Sequence, residues 1–398
     1  MVILANHDEC TGCGSCYNAC SREAIQMRED SEGFLFPYIV SDKCIECCMC
    51  SKSCPILTDP RCDSSVRSFP LVYAMWSNRD RQISSSGGAF SAIARYVLDR
   101  NGVVFGAILD SQLKCQHKRA TTIEELQPIR GSKYIQSDVG YSFQEIKKYL
   151  SNNVLVLFSG TPCQVAGLKS FLKKDFKNLI VIDLVCHGVP SNAIFNSYIE
   201  KLKKKRPDFV GIDGFEFRRF DGWGYAPSVN RGGEFLEVFG VDNLYMEAFE
   251  KSAIFRKSCY HCRYAKIPRI GDITIADFWG IGKHGKTFKH ITSKGVSLLL
   301  ANNERGQKIV SKLQDCYLEE RSLEEALAEN PNICYSTPTN DIRNEVISAF
   351  LDTKTGLNDI EKEFLLVNRS LKGRIKRGAS RYGVFNGLKK IYDIFRSL

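Results

Sequence analysis

Two groups of cysteines near the N-terminus have the spacing of iron-sulfur ligands. Both groups follow the pattern C-x2-C-x2-C-x3-C, and their members are Cys10, Cys13, Cys16 and Cys20, and Cys44, Cys47, Cys50 and Cys54. In this spacing the first three cysteines surround one face of a 4Fe-4S cubane, whereas the fourth binds the cubane of the other group. We therefore expect one cluster at Cys10, Cys13, Cys16 and Cys54, and a second at Cys44, Cys47, Cys50 and Cys20.

Structural zinc is the alternative for these cysteines. Zinc motifs seldom add a third cysteine after two residues and a fourth after three more, so the repeat favours clusters. Residues 24–27 and 34–40, between the groups, are predicted to form the hairpin of a small ferredoxin. The second group ends in Cys54-Pro55 but the first ends in Cys20-Ser21, so one fourth ligand lacks the following proline. We expect the additional Cys48 to be a free thiol beside the second cluster.

Length and composition favour a globular protein with more than one folded unit. The chain has 398 residues, of which 43% are hydrophobic. A chain of this length is longer than a single hydrophobic core usually accommodates. Its apolar runs are too short for a signal peptide or a membrane span. An odd number of cysteines, 17, without an export signal favours thiolate chemistry over disulfides and a cytoplasmic location.

A second unit is expected after a ferredoxin domain at residues 1–58 and a polar linker at residues 59–70. Its first strand is predicted at residues 71–76, and the sequence SSSGGAFSA then leads into an apolar helix. Gly102 is expected to end this helix before a strand at residues 103–109. Free N-H groups at a helix start bind phosphate, which makes this serine and glycine loop a candidate phosphate site. The alternative is that the two glycines only allow the helix to pack closely.

Apolar runs that alternate with helices predict an α/β or α+β unit with a mixed sheet. Further strands are predicted at residues 209–217, 235–239, 273–276 and 295–300. The runs at residues 154–158 and 179–185 end shortly before Cys163 and Cys186. Ligands bind at the carboxyl ends of strands in open α/β sheets, so both cysteines are expected on one side of the sheet.

One further C-x2-C pair, Cys259 and Cys262, lacks a second pair nearby. Spacing alone leaves two interpretations open. The pair belongs either to a zinc site with His261 or His284, with Cys163 and Cys186 as unrelated thiols, or to a cluster whose other ligands are remote in sequence.

Several motifs resemble those of one known family. They are SSSGGAFSA, GSKY, GTPCQ, DLVCHGVPS and CYHCRY followed by GDITIADFWG, and they occur in this order between residues 71 and 300. With them, the chain resembles the coenzyme F420 hydrogenase/dehydrogenase beta-subunit family, in which a two-cluster ferredoxin module is a common fusion. The resemblance implies an FAD-binding domain at residues 71–365. Its flavin would exchange a hydride with a soluble donor and pass single electrons to iron-sulfur clusters.

The resemblance also implies site residues. A third 4Fe-4S cluster would be held by Cys163, Cys186, Cys259 and Cys262. The FAD pyrophosphate would lie at Ser85, Ser86, Gly87 and Gly88, and the flavin near Ser132, Lys133 and Tyr134. Lys133 and His187 are the candidate catalytic residues, with an ordinary surface turn and a structural histidine as the alternatives.

The expected function is that of an iron-sulfur flavoprotein oxidoreductase whose donor is reduced F420, NAD(P)H or ferredoxin. An electron-transfer subunit of a larger redox complex, without its own substrate, is the alternative. A structural iron-sulfur protein without flavin is a third. No nucleic-acid-binding module is recognisable, so no nucleic-acid partner is expected.

The C-terminal residues 366–398 are rich in Lys and Arg, and their apolar residues recur at helical spacing. This pattern predicts a basic amphipathic helix that would contact an anionic membrane or an acidic partner, or pack on its own domain.

Overall fold

The computed structural model describes residues 2–58, 66–218, 223–224 and 227–367. Its strands are β1 (Ile25–Glu29), β2 (Leu35–Ile39), β3 (Val66–Ser77), β4 (Val103–Leu109), β5 (Cys115–Ala120), β6 (Val156–Gly160), β7 (Leu179–Leu184), β8 (Gly214–Glu216), β9 (Ser228–Arg231), β10 (Glu234–Glu237), β11 (Ile273–Asp277), β12 (Ser297–Asn303) and β13 (Cys316–Arg321). Its α-helices are α1 (Ser15–Ala19), α2 (Met49–Lys52), α3 (Ala89–Leu98), α4 (Ser142–Ser151), α5 (Pro162–Leu172), α6 (Asn192–Lys205), α7 (Leu244–Glu250), α8 (Glu304–Val310), α9 (Leu323–Ala328), α10 (Arg343–Leu351) and α11 (Leu357–Phe364).

A mixed sheet of eight strands forms the centre of the main domain, in the order β13-β3-β12-β11-β7-β6-β4-β5. The four strands β11, β7, β6 and β4 are mutually parallel, and the strands on both flanks are antiparallel. The expected mixed α/β architecture is thus confirmed. Because parallel strands end at the same edge, the chain segments after β6, β7 and β11 all emerge on one side.

Both faces of the parallel strands are buried, which explains their nearly continuous apolar sequences. On one face, Val104 and Leu157 pack with Ile93 of α3. On the opposite face, the neighbouring Phe105 and Phe158 pack with side chains of α4 and α5. The alternation follows from the two-residue period of a strand.

An aromatic cluster lies beside the sheet and supports the segment at residues 131–134. It is built mainly from α6, α7, α10, α11 and the small sheet β10-β9-β8. Tyr245 of α7 donates a hydrogen bond to the carbonyl of Tyr134 at 2.8 Å. The ring of Tyr134 contacts Phe217 and Phe249 edge-on. This packing fixes one wall of the cavity described below.

The ferredoxin module consists of the antiparallel hairpin β1–β2 and the short helices α1 and α2. Helix α1 packs on α5. Asn18 donates to the carbonyl of Gly140 at 2.9 Å, and Gln144 donates to the carbonyl of Asn18 at 3.0 Å. Arg343 forms a two-point ion pair with Glu32 at the far end of the hairpin. The module is therefore docked on the main domain by both of its ends.

The structure changes the predicted linker and one predicted strand. Strand β3 begins at Val66, so the last five residues of the predicted linker at 59–70 belong to the sheet. The apolar residues 209–217 were expected to form one strand, but only Gly214–Glu216 does so, because the aromatic residues pack into the cluster instead of alternating. Residues 59–65 and the tail at 368–398 lie outside the described residues. Among the described helices, none combines the length and apolar character needed to cross a bilayer.

Candidate functional site

A cavity of about 270 Å³ lies at the carboxyl edge of the parallel strands. It brings together seven of the eight residues predicted at the flavin site or as candidate catalytic groups. Those seven are Ser85, Ser86, Gly88, Ser132, Lys133, Tyr134 and His187. The proposed cluster ligand Cys186 lines the same cavity.

The serine and glycine loop presents the start of helix α3 to the cavity. Gly88 precedes the helix with φ of +88°, a conformation that favours glycine. No described side chain caps this helix, and its first residues line the cavity. The hydroxyl of Ser86 is buried without a hydrogen-bond partner in the described chain. The loop thus offers backbone and hydroxyl donors of the kind that bind a phosphate.

Gly87, the eighth predicted residue, has a structural position instead and is not one of the lining residues. Its carbonyl accepts a hydrogen bond from the N-H of Ser77 at 2.8 Å. A Cβ at this position would lie 2.2 Å from the carbonyl oxygen of Met75. The loop can therefore cross the end of β3 only with glycine here.

Lys133 stabilises the loop that carries it. Its Nζ donates to the carbonyls of Pro128 at 2.7 Å, Ile129 at 3.0 Å and Arg130 at 2.6 Å. Burial lowers the pKa of Lys133 to about 8. Because carbonyls already bind its ammonium group, this geometry favours an organising role over the predicted catalytic one.

His187 borders the cavity next to Asp277, at the end of β11. Desolvation lowers the pKa of His187, and the Asp277 carboxylate opposes that shift. Asp277 accepts hydrogen bonds from Arg218 and, at 2.6 Å, from the indole N-H of Trp223. The motif ADFWG contains Asp277, but nothing in that motif indicates its bond to Arg218.

His117 is a cavity residue that sequence reasoning missed. Its ring hydrogen-bonds with the carbonyl of Ser159 and the hydroxyl of Ser137, both at 3.1 Å, and stacks on Phe158. Burial lowers the pKa of His117 to about 4. The ring is therefore neutral at physiological pH, and no motif around residue 117 predicted it.

Four cysteines remote in sequence lie together beneath the cavity, and we call them the proximal set. They are Cys163, Cys186, Cys259 and Cys262. Burial raises the pKa of Cys163 to about 11 and that of Cys259 to about 12, and the neighbouring thiols add to both shifts. Burial is also the main cause of the raised pKa of Cys186, and the other three cysteines raise it further. Four crowded, half-buried thiols are a donor set that fits a bound cluster.

The histidines of the zinc alternative take no part in this group. His284 hydrogen-bonds with Glu329 at 2.9 Å on the surface, and His261 is exposed. Within the described ranges, no three His, Cys, Asp or Glu side chains are close enough to hold one ion. A cubane needs no such convergence, because each of its cysteines binds a separate iron.

In the structure, the fourth cysteine of each ferredoxin group lies near cysteines of the other group. Cys10, Cys13, Cys16 and Cys54, the middle set, line one cavity of about 20 Å³. The remaining four, Cys20, Cys44, Cys47 and Cys50, are the outer set. Cys13 of the middle set is buried, which raises its pKa to about 12, whereas Cys47 of the outer set is exposed. Burial also raises the pKa of Cys50, and Cys20 adds to this shift, so these two thiols are neighbours.

The three sets form a row from the cavity to the protein surface. A Cβ on Gly167 of α5 would lie 2.9 Å from the Sγ of Cys13, and Cys163 is in the first turn of the same helix. Cys163 also raises the pKa of Cys13. Helices α1 and α2, which pack together, connect the middle set to the outer set.

Comparison with known proteins decides the family. Residues 72–142 and 154–326 match models of the N-terminal and C-terminal parts of the coenzyme F420 hydrogenase/dehydrogenase beta subunit. The chain belongs to this beta-subunit family. Residues 9–57 match a 4Fe-4S dicluster domain, so this family member carries iron-sulfur clusters at its N-terminus.

Individual proteins are similar to this chain over different shares of its length. One subunit of the F420H2 dehydrogenase of Methanosarcina mazei is 24% identical over 300 residues, which cover 70% of this chain and 80% of that protein. An uncharacterised ferredoxin of Methanocaldococcus jannaschii is 32% identical over 55 residues, or 14% of this chain and 70% of the ferredoxin. A chain of the F420-reducing NiFe hydrogenase complex of Methanosarcina barkeri aligns with a TM-score of 0.44 and 16% identity, over 76% of this chain and 94% of that one.

Proposed function

We propose that this family member is an FAD- and 4Fe-4S-dependent oxidoreductase that accepts a hydride in the cavity and delivers single electrons to the surface. Reduced F420 or NAD(P)H would donate this hydride, whereas reduced ferredoxin, the third candidate donor, would supply two single electrons one after the other. The observation that carries the proposal is the position of Cys186, which belongs to the proximal set and also lines the cavity. The proposed site of hydride transfer and the first electron acceptor would thus lie on opposite sides of one cavity wall.

The residues of the cavity fit FAD. The first turn of α3 and the hydroxyl of Ser86, which lacks a partner in the described chain, would hold the pyrophosphate. The hydroxyl of Ser85 accepts from the N-H of Ser132 at 3.0 Å and so joins the loop to the segment at residues 131–134. When bound, the flavin supplies the conversion between a two-electron hydride and single electrons.

The chain's own residues would bind the clusters and keep water away from them. The proximal, middle and outer sets would each hold one 4Fe-4S cluster. The proximal and middle sets are at least half-buried, whereas the outer set includes the exposed Cys47, and this difference would favour transfer along the row over loss of electrons to solvent. Clusters need reduced thiolates, so a cytoplasmic setting is part of the proposal.

A second candidate is an electron-transfer subunit that only serves a partner enzyme. The observation that favours it is the exposed apolar surface at the outer set. Ile45 and Met49, which flank its cysteines, are 61% and 39% exposed. Large exposed apolar residues beside an electron exit fit a partner redox subunit.

Anaerobic reduction by a panel of donors would test the proposal. The purified chain is mixed with reduced F420, NADH, NADPH or reduced ferredoxin, and the flavin absorbance is followed. The proposal predicts bleaching by one donor, and turnover when an artificial electron acceptor is added. Bound FAD that no donor reduces would favour the second candidate, whereas the absence of any flavin would contradict the proposed cofactor.

A further inference from the structure

Arg256 is a buried cation between the middle and proximal sets. Its side chain is 2% exposed. Its Nε donates to the carbonyl of Cys10 at 2.7 Å, and its Nη1 donates to the carbonyl of Leu35 at 3.1 Å and to Oε1 of Gln136 at 3.4 Å. The guanidinium also lies over the ring of Phe36, 3.9 Å from its centroid.

Within the described chain, the oxygen atoms that accept hydrogen bonds from Arg256 do not carry the negative charge that would compensate its positive charge. All three are neutral, and within the same described residues the buried Nη2 has no hydrogen-bond partner. A buried charge without a counter-charge is strongly unfavourable. This position therefore requires negative charge nearby.

Thiolates of two different sets can supply that charge. Arg256 contacts both sets through the backbone, because it donates to the Cys10 carbonyl and its own carbonyl accepts from the N-H of Cys259 at 2.9 Å. In agreement with these contacts, its charge lowers the pKa of the Cys10, Cys163 and Cys259 thiols against the effect of burial. A cubane bound by four thiolates carries net negative charge, and reduction adds one more electron. A fixed cation close to both sites would thus stabilise their reduced forms.

We propose that Arg256 is the shared counter-charge of the middle and proximal clusters and raises the reduction potential of both relative to the outer cluster. This inference rests on the proposed function, because it requires a cluster at each set. In the transfer step, the cluster held by the proximal set would be oxidised by loss of one electron, and the cluster held by the middle set would be reduced by gaining it. No bond forms, no proton moves, and Arg256 stays protonated. It acts as a positioning residue and does not react.

The test is a redox titration of the three clusters, followed by electron paramagnetic resonance in the anaerobically purified holoprotein. Arg256→Gln is expected to lower the reduction potentials of the middle and proximal clusters by about 59 mV or more. For one electron, this shift corresponds to a tenfold change in the oxidised-to-reduced ratio. The outer cluster is the internal reference and should not shift. Arg256→Lys, which keeps the charge, should restore most of the loss.

Gln136→Glu gives a second, independent variant that keeps every backbone bond of Arg256. The new carboxylate would stand within reach of Nη1 and neutralise the guanidinium, so both potentials should fall as in Arg256→Gln. If Arg256→Gln loses its clusters, this variant still decides the question. Unchanged potentials in Gln136→Glu would overturn the inference.

Arg343→Gln is the matched control for a purely structural role. Arg343 is also a buried arginine that docks the hairpin, but its charge is compensated by the Glu32 carboxylate. The Arg343→Gln variant should leave the reduction potentials of all three clusters unchanged. Equal shifts in all three clusters, or the same shifts in Arg343→Gln, would contradict the role of Arg256. Fewer than three clusters in the wild-type protein would instead contradict the proposed function.

Discussion

The middle and outer sets have the same cysteine spacing but lie in different surroundings. The middle set is enclosed by apolar residues of the module, including Met27 and Pro37, and is covered by α5 of the main domain. The outer set includes the exposed Cys47 and borders Ile45, which is 61% exposed. The comparison shows that the spacing determines which cysteines meet, whereas the neighbouring domain determines how far solvent reaches them. Solvent access and local charge in turn adjust cluster potentials.

The residue after each fourth ligand adds to this difference. Pro55 follows Cys54, is buried and lines the cavity of the middle set. Ser21 follows Cys20 of the outer set and is exposed. The missing proline noted in the sequence therefore belongs to the site that is open to solvent.

The largest expected effect separates the buried sites from the surface site. Cys259→Ser and Cys47→Ser should each remove about four iron atoms per chain, because in the proposed function each set would bind one cubane. Only Cys259→Ser should abolish reduction of the middle cluster by the hydride donor, since it interrupts the row next to the cavity. Iron analysis and the resonance signal of the middle cluster after donor addition measure both outcomes. Loss of donor reduction in Cys47→Ser would contradict the order of the row.

The second effect concerns acid stability at the buried cavity. Because the pKa of His117 falls from 6.5 to about 4 on folding, the unfolded chain binds the proton more readily between these values. The free energy of unfolding should therefore fall by about 3 kcal/mol as the pH drops from 6.5 to 4. In denaturant titrations, the free energy of unfolding of His117→Gln should fall less at acid pH than that of the wild type. An acid loss in His117→Gln as large as that of the wild type would argue against this cause.

The third effect tests the cover over the middle set. Gly167→Leu would force atoms against Cys13, because even a Cβ would approach its Sγ to 2.9 Å. Overpacking of this kind typically costs about 1–3 kcal/mol of stability. Faster air oxidation of the middle cluster should accompany the loss. Lys169→Leu, on the same helix, is the control, and an equal loss there would argue against a specific contact at Gly167.

The smallest effect concerns the residue after the fourth ligand. Pro55→Ser should lower the free energy of unfolding by about 0.4–1 kcal/mol, because the unfolded chain gains conformational freedom. It should also make the middle cluster more sensitive to oxygen, so that it behaves more like the outer one. Oxidation kinetics of both clusters in one sample measure this. An equal change in the outer cluster would mean that Pro55 does not shield the middle set specifically.

Local sequence patterns predicted most elements close to the site. The helical spacing and the Gly102 break located α3 and β4, and the apolar runs located β6 and β7, because in each case the signal lies within one element. The aromatic segment at residues 209–217 misled the same reasoning, since those rings fill a cluster between elements.

The meeting of the proximal set could not be predicted from spacing. Cys163 and Cys259 belong to different elements, and only the order of the sheet brings them together, so the resemblance to a family supplied that expectation. The carbonyl contacts of Lys133 and the position of Arg256 were also not predictable. Both depend on the shape of the backbone around a single side chain.

Joint determination of FAD and iron in the anaerobically purified wild type and Cys163→Ser most directly tests the claim that one electron path begins at the cavity and crosses three clusters. The account predicts one FAD and about twelve iron atoms per wild-type chain, and about eight iron atoms with FAD retained in Cys163→Ser. A wild-type protein with about eight iron atoms and no flavin, or iron content unchanged by the substitution, would contradict it.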